Sequence, residues 1–170
     1  NGLPMAASDH IVSEALYLND PEGNGIEIYA DRAPETWDFS TGTVKMATRR
    51  LDLRALAASA EGECSPIPAG TVLGHVHLKV GEIAPAETFW TQALAMQVTA
   101  RYGAQAVFMA GQHPSGGRYH HHIAANIWDS AGAGPRPAGE TGLDHFVVKA
   151  PHLSVGERVD PWGNRAVVVA

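Results

Sequence analysis

The chain has 170 residues, 45% of them hydrophobic and 18% charged, which suffices for one globular domain with a real core or for two small repeated modules sharing one. A net charge of −6, with both signs spread along the sequence, offers no basic stripe for a phosphate backbone, so nucleic acid is not an expected partner. No apolar run approaches the ~20 residues of a bilayer span and the first residues lack the features of a signal peptide, so no membrane association and a cytoplasmic location are expected.

Residues 13–18 and 25–30 alternate as two strands, and Asn19 to Asn24, containing Pro21 and Gly23, supplies the turn of a hairpin. Residues 31–50 read as a loop with a short extended piece, and Leu51 to Ala60 is rich in helix formers. Glu61 to Gly70, with Pro66 and Pro68, reads as a linker. It holds the lone Cys64, which forms no intrachain disulfide and is read as structural or incidental. Then follow a strand at 72–80, a helix at 84–95 and strands at 96–102, 105–110 and 119–127, with a loop at 113–117: a βαβββ order. Ala131 to Gly142, loaded with Gly and Pro, is a connector. Strands at 143–149 and 165–169 close the chain, with only a short segment between them.

Histidine is the unusual component: there are nine, and eight fall between residues 75 and 152. In a strand, His75, His77 and Lys79 share one face while Val76, Leu78 and Val80 share the other, which fits under helix 84–95. The run His120-His121-His122 cannot send all three side chains to one face. Taken alone, Glu27, Tyr17, His10 and His152 also have ordinary structural readings, and Trp37, Trp90, Trp128 and Trp162 read as packing residues. Burying His75 or His145 without a partner would be costly, which favours a function for both.

Two internal echoes indicate a repeat. His75-Val76-His77-Leu78-Lys79-Val80 matches His145-Phe146-Val147-Val148-Lys149-Ala150 in apolar spacing, and Asp20-Pro21-Glu22-Gly23-Asn24 matches Asp160-Pro161-Trp162-Gly163-Asn164, each tract before a strand. The two Asp-Pro tracts read as structural turns. With residues 8–18, 74–80 and 119–123, these features resemble the vicinal oxygen chelate superfamily of glyoxalase I, bleomycin-resistance proteins and type I extradiol dioxygenases. The nearest branch is the bacterial catechol-2,3-dioxygenase-like one.

The resemblance implies an α+β fold in which βαβββ modules form a curved mixed sheet, a cup, with helices on its outer face. Such proteins carry four motifs. Against that pattern residues 1–60 are the remnant of an N-terminal module (hairpin plus helix), 61–71 a linker and 72–170 a C-terminal module. The sequence then begins late in the second motif, and Ala150 to Asp160 is too short for the helix and strand of the fourth. Sheet left uncovered in this way is expected to pair with a second copy in a homo-oligomer, a dimer, or with further segments.

The resemblance also implies a site. Its metal histidines match His75 and His145, and two imidazoles with one carboxylate would suit Fe(II), with Mn(II) or another divalent metal as alternatives. The family's glutamate falls on Val167 in the last strand, whereas the other copy keeps it as Glu27, so the implied set is His75, His145 and Glu27. His121 matches the acid/base histidine, and His10 and Tyr17 match a catalytic pair in the N-terminal copy, although a regular strand would turn those two to opposite sides. A metal-dependent ring-cleaving dioxygenase acting on a small aromatic molecule is the expected function. A non-catalytic binding protein for an antibiotic or aromatic compound, and a glyoxalase-type lyase or isomerase, are the alternatives.

Overall fold

The computed structural model describes residues 4–60, 67–111 and 118–170. The fold is α+β, and the chain divides into two compact units, Asn1–Leu73 and Gly74–Ala170. The linker residue Cys64 and the loop at 113–117 lie outside the described residues. No helix among the described residues is long and apolar enough to cross a membrane.

The first unit is built on an antiparallel sheet of β1 (Ala6–Asp9), β2 (Ser13–Asn19) and β3 (Gly25–Asp31). The expected hairpin is therefore present with one more strand, whose Ala-Ala-Ser-Asp sequence lacks the β-branched and aromatic residues that mark strands. Asp20 makes the hairpin turn: its carboxylate accepts from the backbone N–H groups of Glu22 and Asn24 and from the Asn24 amide, while Gly23 takes a φ of 87°. Ile28 and Ile26 sit opposite Leu16 and Leu18 on one face and are exposed. The region after β3 is irregular, with a short 3₁₀ turn at Pro34–Thr36 and a single antiparallel bridge from Arg49 to Asp9. Helix α1 (Leu53–Ala58) is shorter than its sequence suggests and starts at Asp52, which caps the N–H groups of Arg54 and Ala55.

The second unit contains the βαβββ order in full: β4 (Val76–Lys79), α2 (Ile83–Ala93), β5 (Gln97–Tyr102), β6 (Ala106–Ala110) and β7 (Ile123–Asn126). Their sheet runs β4-β7-β6-β5, with β4 and β7 parallel and the other pairs antiparallel. Strands β4 and β7 are shorter than expected, because the histidine-containing stretches ahead of them leave the ladder. A second sheet, β8-β10-β9, joins β8 (Phe146–Lys149) in parallel to β10 (Arg165–Val169) and adds β9 (Gly156–Val159) antiparallel. Residues 150–160, expected to be too short for both a helix and a strand, hold the strand β9 and no helix. A turn at Pro151–His152 brings the chain straight into it, and the pairing Val159↔Arg165 uses the Asp160 turn as a hairpin.

One core serves both sheets of this unit. Leu78 and Val80 of the first strand meet Ala86 and Trp90 of α2, as their alternation requires, and Phe146, Ala166 and Val168 enter from the second sheet. The Trp90 and Phe146 rings are 5.7 Å apart, which ties α2 to β8. At the exit of β4, an added Cβ on Gly81 would lie 2.1 Å from the Ala133 carbonyl oxygen and 2.7 Å from the Trp162 indole nitrogen. That carbonyl accepts the Trp162 N–H at 2.8 Å, so the connector after β7 and the Asp160 turn are both pressed onto the end of β4. The Asp160 turn repeats the Asp20 turn bond for bond, its carboxylate accepting from Trp162 N, Asn164 N and the Asn164 amide, with Gly163 at φ 86°. Both Asp-Pro tracts are structural turns.

Candidate metal centre

The parallel pairing of β4 with β7 decides which histidines meet. Val76 lies opposite Ile123, and its N–H donates to the His122 carbonyl at 3.0 Å, so the residues entering the two strands run side by side. His75 precedes β4 and His77 lies within it, two residues on and hence on the same side. Regular alternation on β7 would present His122 to that side rather than His121. The chain bends at His120 and His122, however, and the alternation breaks. His121 then enters the cluster, its ring 4.2 Å from His75 and 5.5 Å from His77, while His75 and His77 are 5.1 Å apart.

One nitrogen from each of His75, His77 and His121 lies within 4.8 Å of the others. His121 is only 4% exposed, and its Nε2 has no hydrogen-bond partner among the described residues. Leaving such a nitrogen unsatisfied costs about 1–3 kcal/mol, which a bound cation would offset. Burial, and then the neighbouring His75, His120, His77 and His122, push the His121 pKa well below the ordinary histidine value. The imidazole is therefore neutral near pH 7 and keeps the lone pair that a metal requires. The donor set suits a borderline transition ion, for which imidazole is a common ligand.

The other two histidines of the run make different contacts. His120, 1% exposed, has its Nδ1 2.8 Å from His121 Nδ1, and its carbonyl accepts a short hydrogen bond from Thr99 Oγ1. His122 Nδ1 accepts from the Gly111 N–H at 3.2 Å. Aromatic groups border the cluster: Phe108 lies 5.0 Å from His121 and 6.0 Å from His77, and Trp128 stacks on His77 at 6.3 Å and 27°. Trp90 is a packing residue, as expected, but Trp128 is 50% exposed and belongs to this border.

His145 stands outside the cluster. It enters β8 with its side chain 42% exposed and its Nδ1 2.6 Å from the Asp144 carboxylate, which is itself bound by Arg165. Asp144 is held below the usual carboxylate range, first by that His145 contact and then by the Arg165 charge. Val167, at the position of the expected glutamate, pairs with Val147 on β8.

Glu27, Tyr17 and His10 form a group of their own in the first unit. Tyr17 and Glu27 are direct cross-strand partners, and the phenol donates to Glu27 Oε1 at 2.8 Å. His10 Nε2 is 2.5 Å from the phenol oxygen, and its Nδ1 donates to the Ala47 carbonyl at 3.0 Å. The expected opposition of His10 and Tyr17 is removed by Ile11, whose φ of 73° bends the chain between β1 and β2. Burial, then the Glu27 carboxylate, raise the Tyr17 pKa far above its ordinary value, so the phenol stays protonated.

Of the residues singled out from sequence, the structure brings His75 and His121 together. His77 joins them in the cluster, although the expected ligand set did not include it. Its sequence signal is the His-x-His spacing, which in a strand puts two imidazoles on one face.

Comparison with known proteins identifies a strong likeness. The chain is 40% identical over 168 residues to a catechol-2,3-dioxygenase of Bacillus subtilis (strain 168). The alignment takes in 97% of this chain and 56% of the relative, so the chain spans just over half the length of the protein it matches. A lactoylglutathione lyase from Agrobacterium tumefaciens aligns in structure with 61% of this chain and 94% of its own, at 14% identity and a TM-score of 0.38. No family model matches the chain.

Proposed function

We propose that the chain is a metal-dependent, extradiol-dioxygenase-like protein acting on a catechol or a related aromatic diol. The observation that carries this reading is the meeting of His75, His77 and His121 in a chain 40% identical to a catechol-2,3-dioxygenase. Fe(II) is the proposed metal, with Mn(II) as the alternative. A bound ion would supply a Lewis acid for the two diol oxygens and, as Fe(II), the redox partner that O₂ needs.

The chain's own residues do the remaining work. The neutral His121 is a donor that does not compete with the ion for charge. Phe108 and Trp128 present ring surfaces beside the histidines, which orient a planar substrate and keep water from its face. In the overall reaction both atoms of O₂ enter the product as one ring carbon–carbon bond breaks, and no external reductant is consumed.

The test is oxygen uptake by protein loaded anaerobically with Fe(II), then given catechol or a substituted catechol in air-saturated buffer. The expected result is one O₂ consumed per ring opened, with a yellow product. Iron-loaded protein that consumes no O₂ with a panel of catechols would reject the reading.

A further inference from the structure

We propose that the metal is held by three histidines alone, His75, His77 and His121, and that His120 is a positioning residue that sets the tautomer of His121. This deepens the reading above by naming its ligand set, yet the site is contained within Gly74–Ala170 and its metal chemistry stands apart from catechol turnover. Two observations converge on it. The donor atoms of the three imidazoles gather within 4.8 Å, with no carboxylate in the group among the described residues. Independently, His121 is 4% exposed, and of its two nitrogens Nδ1 faces His120 while Nε2 has no hydrogen-bond partner among the described residues.

The contact between His120 and His121 fixes the roles. Two facing Nδ1 atoms at 2.8 Å form a hydrogen bond only if one carries a proton and the other does not. For Nε2 of His121 to offer its lone pair, the proton of that neutral ring must sit on Nδ1 and be donated to His120. His120 is held for this task, being buried and anchored through its carbonyl by Thr99. Such an outer partner fixes ring orientation and raises ligand basicity, and removing one typically weakens metal binding 10–100-fold.

An all-imidazole set differs from two histidines and a carboxylate in charge. Three neutral ligands leave the full 2+ of the ion uncompensated, so the centre favours an anionic, bidentate oxygen ligand such as a catecholate over a neutral one. It also disfavours Mg²⁺ and Ca²⁺, which take oxygen donors.

Co(II) titration of the whole chain, followed by visible absorption and by metal content after dialysis, tests the assignment. Wild type should bind one Co(II), with catechol shifting the spectrum. His75→Ala, His77→Ala and His121→Ala should each weaken binding at least 100-fold, while Glu27→Ala and His145→Ala keep the wild-type affinity and spectrum. His120→Phe, which cannot accept the hydrogen bond, should weaken binding 10–100-fold, and His120→Asn, which can, should restore most of it. Circular dichroism identifies any variant that fails to fold, and the His77 variant decides in that event, since its side chain is exposed. Folded wild type that binds no Co(II), full affinity in His77→Ala, or loss of binding in Glu27→Ala or His145→Ala would overturn the three-histidine set. Equal affinities of His120→Phe and wild type would overturn the role of His120. Metal bound as described, with no catechol turnover, would leave the centre standing and remove only the dioxygenase reading.

Discussion

The imidazoles of His75 and His121 lie 4.2 Å apart, ring centre to ring centre, at the entrances of two parallel neighbouring strands. The pairing of β4 with β7 sets those entrances side by side, and at its other end β4 runs into Gly81, which is closely packed. A methyl group there would collide with the Ala133 carbonyl and the Trp162 indole, one of them backbone. Gly81→Ala should therefore destabilise the protein by ~3 kcal/mol, at the upper end of overpacking costs, with a lowered urea midpoint. An unchanged midpoint would show that the connector yields freely.

Trp90 links α2 to both sheets of the second unit and is fully buried. Truncation to alanine should cost about 3–5 kcal/mol by transfer and cavity terms. Thermal unfolding followed by near-ultraviolet circular dichroism measures it, and a loss below 1 kcal/mol would contradict the shared core.

Trp128 should act on ligands and not on stability. Its indole is half exposed and stacks on His77. Trp128→Ala should leave the melting temperature within a degree or so and weaken catechol binding by about fivefold, the equivalent of ~1 kcal/mol of aromatic contact. Fluorescence or calorimetric titration of the metal-loaded protein reads this directly.

Acid sensitivity of the first unit should trace to Asp9. Its hydrogen bond from Arg32, reinforced by the Ile11 N–H, lowers its pKa from 3.8 to about 2. A carboxylate depressed on folding stabilises above its unfolded pKa, and that stabilisation is lost as pH falls through 3.8 toward 2. The pair is partly solvated, so the contribution, after discounting for screening, is about 1 kcal/mol. Asp9→Asn should lower stability at pH 6 and flatten its decline between pH 4 and 2, which chemical denaturation across that range would show.

Much of the fold was legible because period and turn chemistry agree. The alternation through residues 13–18 and 25–30, flanked by the Asp20 turn, allows only a hairpin, and Val76, Leu78 and Val80 announce the face that α2 covers. Strand β1 escaped because Ala, Ser and Asp carry no strand signal, and β9 because a four-residue strand beside a tight turn needs no helix before it. The site was legible in part. A repeat of His75 at His145 is a statement about sequence, while the cluster is decided by register and by bends at His120 and His122, which bring His121 where alternation would have put His122. The bend at Ile11 likewise brings His10 onto Tyr17, and a left-handed isoleucine leaves no mark in composition.

Iron retention is the most direct measurement of the central claim. After anaerobic loading and dialysis, the wild-type chain should retain one Fe(II) per protein and His75→Ala none, both being folded by circular dichroism. Folded wild type that retains no iron, or His75→Ala that retains as much as wild type, would contradict a metal centre at this cluster.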